Sequence, residues 1–365
     1  MGQKAPKKVS SYLSRFLKIL TKPQRKHFLL YLVGLIYLVK FRSTREIAHE
    51  FGGQAPDNLQ HFLNASPKKT EILQENTQEE IALATDPAIL VIDDTPCPRD
   101  GEKIEGTGIH HGADGFVKGQ CAVTSILKVG TQRFLWAIRG YRPKKACPEG
   151  QFKSKIQIAR EILGQARRCF TKPLTVLIDA WYTCAPILNP IQEAGWTFLA
   201  AIKRNRILEI DGRKTVVNSL AKGPRTYKTI RISKKRRFKV AQRLVRLPKV
   251  GMVLLFISKS RHETRFFVTN NLEMTESEMG KLYAQRFGIE TFHKEIKQYL
   301  GFGEMFMRSW DGAQTHWALV GIAYNLIVLG NGKNPKSFRQ KIRHFRKFVS
   351  HESIIHLPKQ LRIPA

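Results

Sequence analysis

AILVIDD (Ala88–Asp94) and PLTVLIDAW (Pro173–Trp181) decide the fold. Each is a short apolar run that ends on an acid. The apolar residues sit on consecutive positions instead of alternate ones, which is how a strand buried on both faces reads. Such strands lie in sheets covered by helices, so the surrounding chain should alternate between the two.

It does. CAVTSILKVGTQRFLWAIRGY (Cys121–Tyr141) reads as two strands around a turn at Gly130. KSKIQIAREILGQARRC (Lys153–Cys169) has helical spacing, APILNPIQEAG (Ala185–Gly195) is a short helix, and TFLAAIK (Thr197–Lys203) is another strand. The order strand, two strands, helix, strand, helix, strand matches a ribonuclease-H-like α/β domain with a mixed sheet. Residues 204–275 interrupt the alternation with short β-rich runs heavy in Lys and Arg, a basic β insertion. From Thr275 a long helix is expected, with helical segments to about Arg346.

Before the first strand, residues 1–10 read as a mobile basic arm and 11–80 as helical. Ser43 and Glu46 make a capping-box pattern. With the segment after Pro56 they give two short helices, either a helix-turn-helix or part of an ordinary bundle. The layout is therefore a helical region at 1–82, which the helix-turn-helix reading would make DNA-binding, an α/β core at 83–203, the insertion at 204–275, the end of the core at 276–330, and a basic C-terminal region at 331–365.

Charge sets the class of partner. Lys plus Arg number 62 and Asp plus Glu 29, a net charge of +33 spread along all 365 residues. That excess points to a polyanion. Hydrophobic residues make up 42%, enough for a sizeable core, which excludes a disordered chain. The five cysteines form no C-x-x-C pair, which argues against a zinc ribbon. Their odd number, with no signal peptide, fits reduced thiols and a cytoplasmic location. FLLYLVGLIYLV (Phe28–Val39) is too short to span a membrane and reads as a buried helix.

In so basic a chain, an acid that ends an apolar strand needs a reason. Asp93 (with Asp94 beside it) and Asp179 are two such acids, and Glu290 in LYAQRFGIETFHKEIKQYLG is a third candidate. Hard carboxylate oxygens suit Mg²⁺, and two such ions roughly 3.5–4 Å apart can drive in-line phosphoryl transfer. On a continuous helix Tyr283, Arg286, Glu290 and Lys297 fall within an arc of about 60°, with Glu295 well off it. A phenol, a guanidinium, a carboxylate and an ammonium would then share one face. Lys203, Arg204, Arg206 and Lys294, with the run Lys234–Arg237, are further candidates for phosphate contact. The adjacent His110 and His111 lack the i, i+4 spacing of a metal pair and read as surface or loop residues.

YAQRFGIETFHKEIKQYLG (Tyr283–Gly301) resembles the Y-R-E-K signature of bacterial insertion-sequence transposases with a DDE site. IDDTPCPRDGEKIEGTG (Ile92–Gly108) and LIDAWYTCAPIL (Leu177–Leu188) resemble the segments carrying the first two acids. The resemblance spans roughly residues 85–330. It implies Asp93, Asp179 and Glu290 as catalytic metal ligands for two Mg²⁺ or Mn²⁺ ions. It also implies Tyr283, Arg286 and Lys297 on DNA phosphates. Asp93 is favoured over Asp94 because neighbours on a strand face opposite ways and Asp93 gives Asp-x-Thr with Thr95.

The implied activity is transposition: hydrolysis at the element ends, then attack of the freed 3′-hydroxyl on target DNA. The implied partners are terminal inverted repeats and target duplex, bound by a dimer, in the bacterial nucleoid and away from membrane. Relatives that form a DNA hairpin are expected to stack a flipped base on a Trp of the insertion. Residues 204–275 contain none, which leaves Phe238, Phe256, Phe266 or Phe267. The competing readings are a structure-specific ribonuclease-H-like nuclease and an inactive DNA-binding relative.

Overall fold

The computed structural model describes residues 6–52, 55–64, 67–84, 89–112, 115–222, 226–233, 236–261, 263–331 and 337–361. Five helices come first: α1 (Lys7–Ile19), α2 (Lys22–Tyr37), α3 (Thr44–Phe51), α4 (Pro56–Leu63) and α5 (Pro67–Ala84). Four strands follow: β1 (Ile89–Pro98), β2 (Gly108–Gly112), β3 (Gly115–Val129) and β4 (Gln132–Tyr141). Then come α6 (Lys155–Cys169), β5 (Thr175–Ile178), α7 (Ala185–Glu193) and β6 (Thr197–Ala201). The insertion carries β7 (Ile207–Ile210), β8 (Arg213–Val216), β9 (Lys228–Ser233), β10 (Arg236–Leu247), β11 (Gly251–Lys259) and β12 (Thr264–Thr269). The chain ends in α8 (Glu276–Tyr283), α9 (Phe287–Tyr299), α10 (Trp310–Gly330), α11 (Phe338–Phe348), α12 (His351–Ile355) and α13 (Leu357–Gln360).

These elements form two compact units. One comprises Pro87–Asp93 with Ser154–Glu290, and the other Met1–Asp86, Asp94–Lys153 and Thr291–Ala365.

In the first unit, β1 pairs in parallel with β5 over Ile89–Ile92, and β5 pairs in parallel with β6. Val176, Leu177, Ile178, Phe198, Leu199 and Ala200 are fully buried, so the consecutive apolar residues do mark strands covered on both faces. Ser154 and Gln157 form a reciprocal capping box that starts α6. The insertion does not stand apart: β12 pairs antiparallel with β6, and the ladder continues through β11, β10, β7 and β8, with β9 also on β10. A mixed sheet results, parallel at one end and antiparallel at the other.

The second unit is built around α10. That helix is buried at nearly every position from Trp310 to Val328, as expected of a helix apolar all round. It packs on β4, and α2 and α5 pack against it. Gly321 makes the close approach to β4 feasible: a Cβ there would lie 1.9 Å from Leu135 Cδ2. Asn325 secures the same contact, accepting from Leu135 N–H at 2.8 Å and donating to Leu135 C=O at 3.0 Å. The register of β3 on β4 shifts beside Leu135, between the pairs Ser125–Ala137 and Ile126–Leu135. Gly130 turns the β3–β4 hairpin with φ +56°.

The structure corrects several expectations. α1 begins at Lys7, so residues 7–10 are helix and not an arm; residues 1–5 lie outside the described residues. β1 runs on to Pro98, which puts Asp93 within the strand; only its pairing with β5 stops at Ile92. The long helix from Thr275 is two helices joined by a 3₁₀ turn at Ala284–Arg286. Helix also continues past Arg346, through α12 and α13. No helix among the described residues is long and apolar enough to cross a membrane.

Candidate active site

The site grows from β1 up to Asp93, the end of β5, the turn between α8 and α9 and the start of α9 up to Glu290, all in one unit. Arg286 lies at its centre. One guanidinium nitrogen donates to Asp93 Oδ2 at 3.0 Å, and another donates to Glu290 Oε1 at 2.6 Å. Arg286 and Asp93 are largely buried, while Glu290 is about half exposed. Burial alone would lower the Arg286 pKa. The neighbouring Tyr283, Asp93, Glu290 and Asp179 outweigh it and raise the value. All three acids therefore act on one guanidinium.

Asp179 follows β5 directly. Its Oδ1 accepts from the backbone N–H groups of Trp181 at 2.9 Å and Tyr182 at 3.2 Å, an Asx turn that fixes the carboxylate. Thr183 Oγ1 donates to Asp179 C=O and to Ala201 C=O, tying this turn to β6.

Tyr283 is buried, its ring 4.4 Å from that of Phe267. Burial pushes its phenol up to about 12, with Arg286 and Arg265 opposing and Asp179 and Asp93 reinforcing the shift. The 3₁₀ turn interrupts the helical phase between Tyr283 and Arg286, so the single arc read from the sequence does not carry through. Arg286 and Glu290 still meet as i, i+4 neighbours.

The other candidates take varied positions. Lys203 Nζ sits 4.7 Å from the ring centroid of Trp181. Arg204 donates to Thr264 C=O at 2.9 Å, and Arg206 donates to Thr183 C=O. Each arginine thus spends part of its guanidinium on the fold. Lys294 and Lys297 belong to the other unit, where both are exposed and Lys297 Nζ donates to Pro96 C=O at 2.8 Å. Lys234 and Lys235 of the basic run lie outside the described residues.

Several side chains separate into structural and exposed roles. Cys121 Sγ donates to Asp94 Oδ2 at 3.5 Å, so the two neighbouring Asp residues have different partners. Glu295 accepts from Arg133 at 2.8 Å and from Tyr324 at 3.0 Å, a buried structural network. His110 is buried with Nε2 3.1 Å from Gly119 C=O, whereas His111 is exposed on the same strand. Phe256, Phe266 and Phe267 are buried and cannot receive a base, and Phe238 is half-buried.

Trp181 is the residue that sequence reasoning passed over. It stands 57% exposed two positions after Asp179. Its place two positions past a strand-end acid, in IDAWY, was the signal the sequence offered.

Among the described residues, no three His, Cys, Asp or Glu side chains gather closely enough to hold a metal ion. Arg286 instead bridges two of the three candidate acids.

Residues 153–326 match the family model described as Transposase DDE domain. The span that matches the Transposase DDE domain contains Asp179, Tyr283, Arg286, Glu290, Lys294 and Lys297, and Asp93 precedes it. Among solved structures, the chain is similar to the piggyBac transposase in a cryo-EM synaptic complex with hairpin DNA. The TM-score is 0.54 at 14% identity, over 95% of this chain and 74% of that one. At that identity the likeness is one of fold: mixed α/β, with helical N- and C-terminal regions. No curated protein matches the chain.

Proposed function

We propose that this protein is a DNA transposase of the DDE type, a phosphoryl-transfer enzyme acting on the ends of a mobile element. The observation that carries the reading is the single guanidinium held by Asp93 and Glu290 and acted on by Asp179. The Transposase DDE domain match over residues 153–326 and the net charge of +33 support it. The similar synaptic complex holds DNA, which makes duplex DNA the natural partner here too.

The donor set fits a divalent cation in kind. Asp93, Asp179 and Glu290 offer hard oxygens, and two of them already share one positive charge. Bound there, Mg²⁺ or Mn²⁺, as a pair of ions, would polarise the attacking and leaving oxygens of an in-line displacement. The protein's own residues do the remaining work. Arg286 exchanges a carboxylate for a DNA phosphate, with which it pairs bidentately. Lys203, Arg204, Arg206, Lys294 and Lys297 neutralise further phosphates, and Tyr283 donates from a fixed ring. The backbone N–H groups of Trp181 and Tyr182 hold Asp179 Oδ1 in place.

In this reading the enzyme is an insertion-sequence transposase with the Y-R-E-K signature. It binds terminal inverted repeats as a dimer, hydrolyses one strand at each end, and joins the 3′-hydroxyls to target DNA in the nucleoid. Glu290→Gln should abolish Mg²⁺-dependent nicking of an element-end duplex while leaving duplex binding within about threefold of wild type. Undiminished nicking by that variant refutes the assignment. An inactive DNA-binding relative is the second reading, favoured by the lack of a three-acid cluster among the described residues. It predicts binding without cleavage by the wild type. Strand transfer in the same assay separates a transposase from a nuclease.

A further inference from the structure

We propose that helix α11 is a second DNA-contact surface, a ridge that grips the phosphodiester backbone through Arg339, Arg343 and Lys347. The inference rests on duplex DNA as the partner and adds a contact site outside the candidate active site.

The sequence of α11, FRQKIRHFRKF, contains five Lys and Arg residues and no acid. Phe338, Lys341, Ile342 and Phe345 are buried, and they occupy one arc of about 100° on the helix. Arg346 is committed to the fold, donating to Ile36 C=O at 2.6 Å and to Leu38 C=O at 3.4 Å. That leaves Arg339, Arg343 and Lys347, all exposed and spaced by four. They form a stripe opposite the buried arc, with successive cations about 6 Å apart along the axis. None of the three has an acidic partner among the described residues, whereas the exposed Arg265 pairs with Glu263.

Three cations at four-residue spacing repel one another, a destabilising arrangement on an isolated helix. The buried arc anchors the helix against that repulsion. A membrane surface is disfavoured because the apolar face of this amphipathic helix is already covered by the protein and has nothing to insert. What remains fits a regular polyanion, and duplex DNA presents one charge per ~1.7 Å of axis. The one amide on α11, Gln340, has its oxygen engaged by Ser337 in the capping box. Three cations beside a single amide suit phosphate, which positions, more than base edges, which specify.

The test is fluorescence anisotropy on the full chain carrying Arg339→Gln, Arg343→Gln and Lys347→Gln together, titrated between 50 and 300 mM salt. Two duplexes are used, one element end and one of random sequence. A control chain loses equal charge from α6 through Arg160→Gln, Arg167→Gln and Arg168→Gln. Each phosphate contact contributes about 0.9 to the slope of log K against log salt, so the α11 variant should lose roughly 2–3 in slope on both duplexes. The control should lose less than about 1, and circular dichroism should be unchanged for both chains. An α11 slope equal to that of wild type or of the control overturns the proposal. A loss confined to the element end also overturns it, by assigning base reading instead. Stripe-dependent binding of RNA without duplex DNA overturns it in favour of RNA. Wild-type protein that bound neither duplex would sink both this proposal and the DNA reading beneath it.

Discussion

Arg286 and Asp93 are 193 positions apart in sequence and 3.0 Å apart in space, joined by a charge-assisted hydrogen bond that Glu290 duplicates on the other side of the guanidinium. Protein cation and metal cation would therefore compete for the same oxygens. Arg286→Gln removes one competitor. Its affinity for Mn²⁺ without DNA, read by isothermal calorimetry, should rise by roughly tenfold, the low end of a charged hydrogen bond because Glu290 is half exposed. Its affinity for duplex DNA should fall. Equal Mn²⁺ affinity in variant and wild type would remove Arg286 from that role.

The adjacent acids Asp93 and Asp94 should part company on substitution. Asp94 accepts from Cys121, while Asp93 pairs with Arg286. Asp93→Asn should lower single-turnover nicking by about 10²–10³-fold, the range seen when a group acting on the reacting atoms is removed. Asp94→Asn should stay within about tenfold. A reversal of the two effects would transfer the first ligand to Asp94.

Trp181 offers a spectroscopic handle. It is exposed, whereas Trp136, Trp196, Trp310 and Trp317 are buried. Acrylamide should quench only the Trp181 component of the emission. Bound DNA should shield that component if the indole lies against the substrate, and Trp181→Ala should weaken single-strand binding by about fivefold or more. Quenching that is identical with and without DNA would take Trp181 out of the interface.

Acid should loosen the second unit through His316. Its Nδ1 lies 2.8 Å from Tyr31 Oη and its Nε2 3.0 Å from Gly301 C=O, so the neutral ring donates from Nε2 and accepts at Nδ1. Burial, the largest influence, pulls its pKa down to about 4. The unfolded chain, with an ordinary histidine near 6.5, binds the proton more readily. Stability from this site is thus complete above pH ~6.5 and falls as pH drops toward 4, by on the order of 3 kcal/mol. Urea midpoints across that window should decline in wild type and decline less in His316→Gln. Parallel declines would acquit His316.

Much of this was legible in the sequence. The buried strands announced themselves because two covered faces demand apolar side chains at every position, as in β5 and β6. The β3–β4 hairpin was legible from Gly130 between apolar runs. The break between α8 and α9 was not: no Pro marks it, and a 3₁₀ turn differs from an α turn in hydrogen bonding, with the residue types unchanged. The reach of β1 beyond Asp94 was hidden for the opposite reason, since Pro96 and Pro98 read as strand breakers. At the site, residue chemistry singled out the acids and Arg286, and the structure sets Arg286 against Asp93 and Glu290. It could not foretell that Arg286 bridges two of them, because that pairing is a matter of side-chain reach.

The second unit draws on both ends of the chain, with Tyr31 meeting His316 across 285 positions and Arg42 meeting Glu304 across 262. During synthesis the first helices leave the ribosome long before their partners exist. Chain emerges at about 5–20 residues per second, so their apolar faces wait tens of seconds for closure. A message cut short before α10 would yield a polypeptide unable to close this unit, exposed to proteases and to aggregation. Translation through α10 is thereby a condition for this unit to accumulate folded.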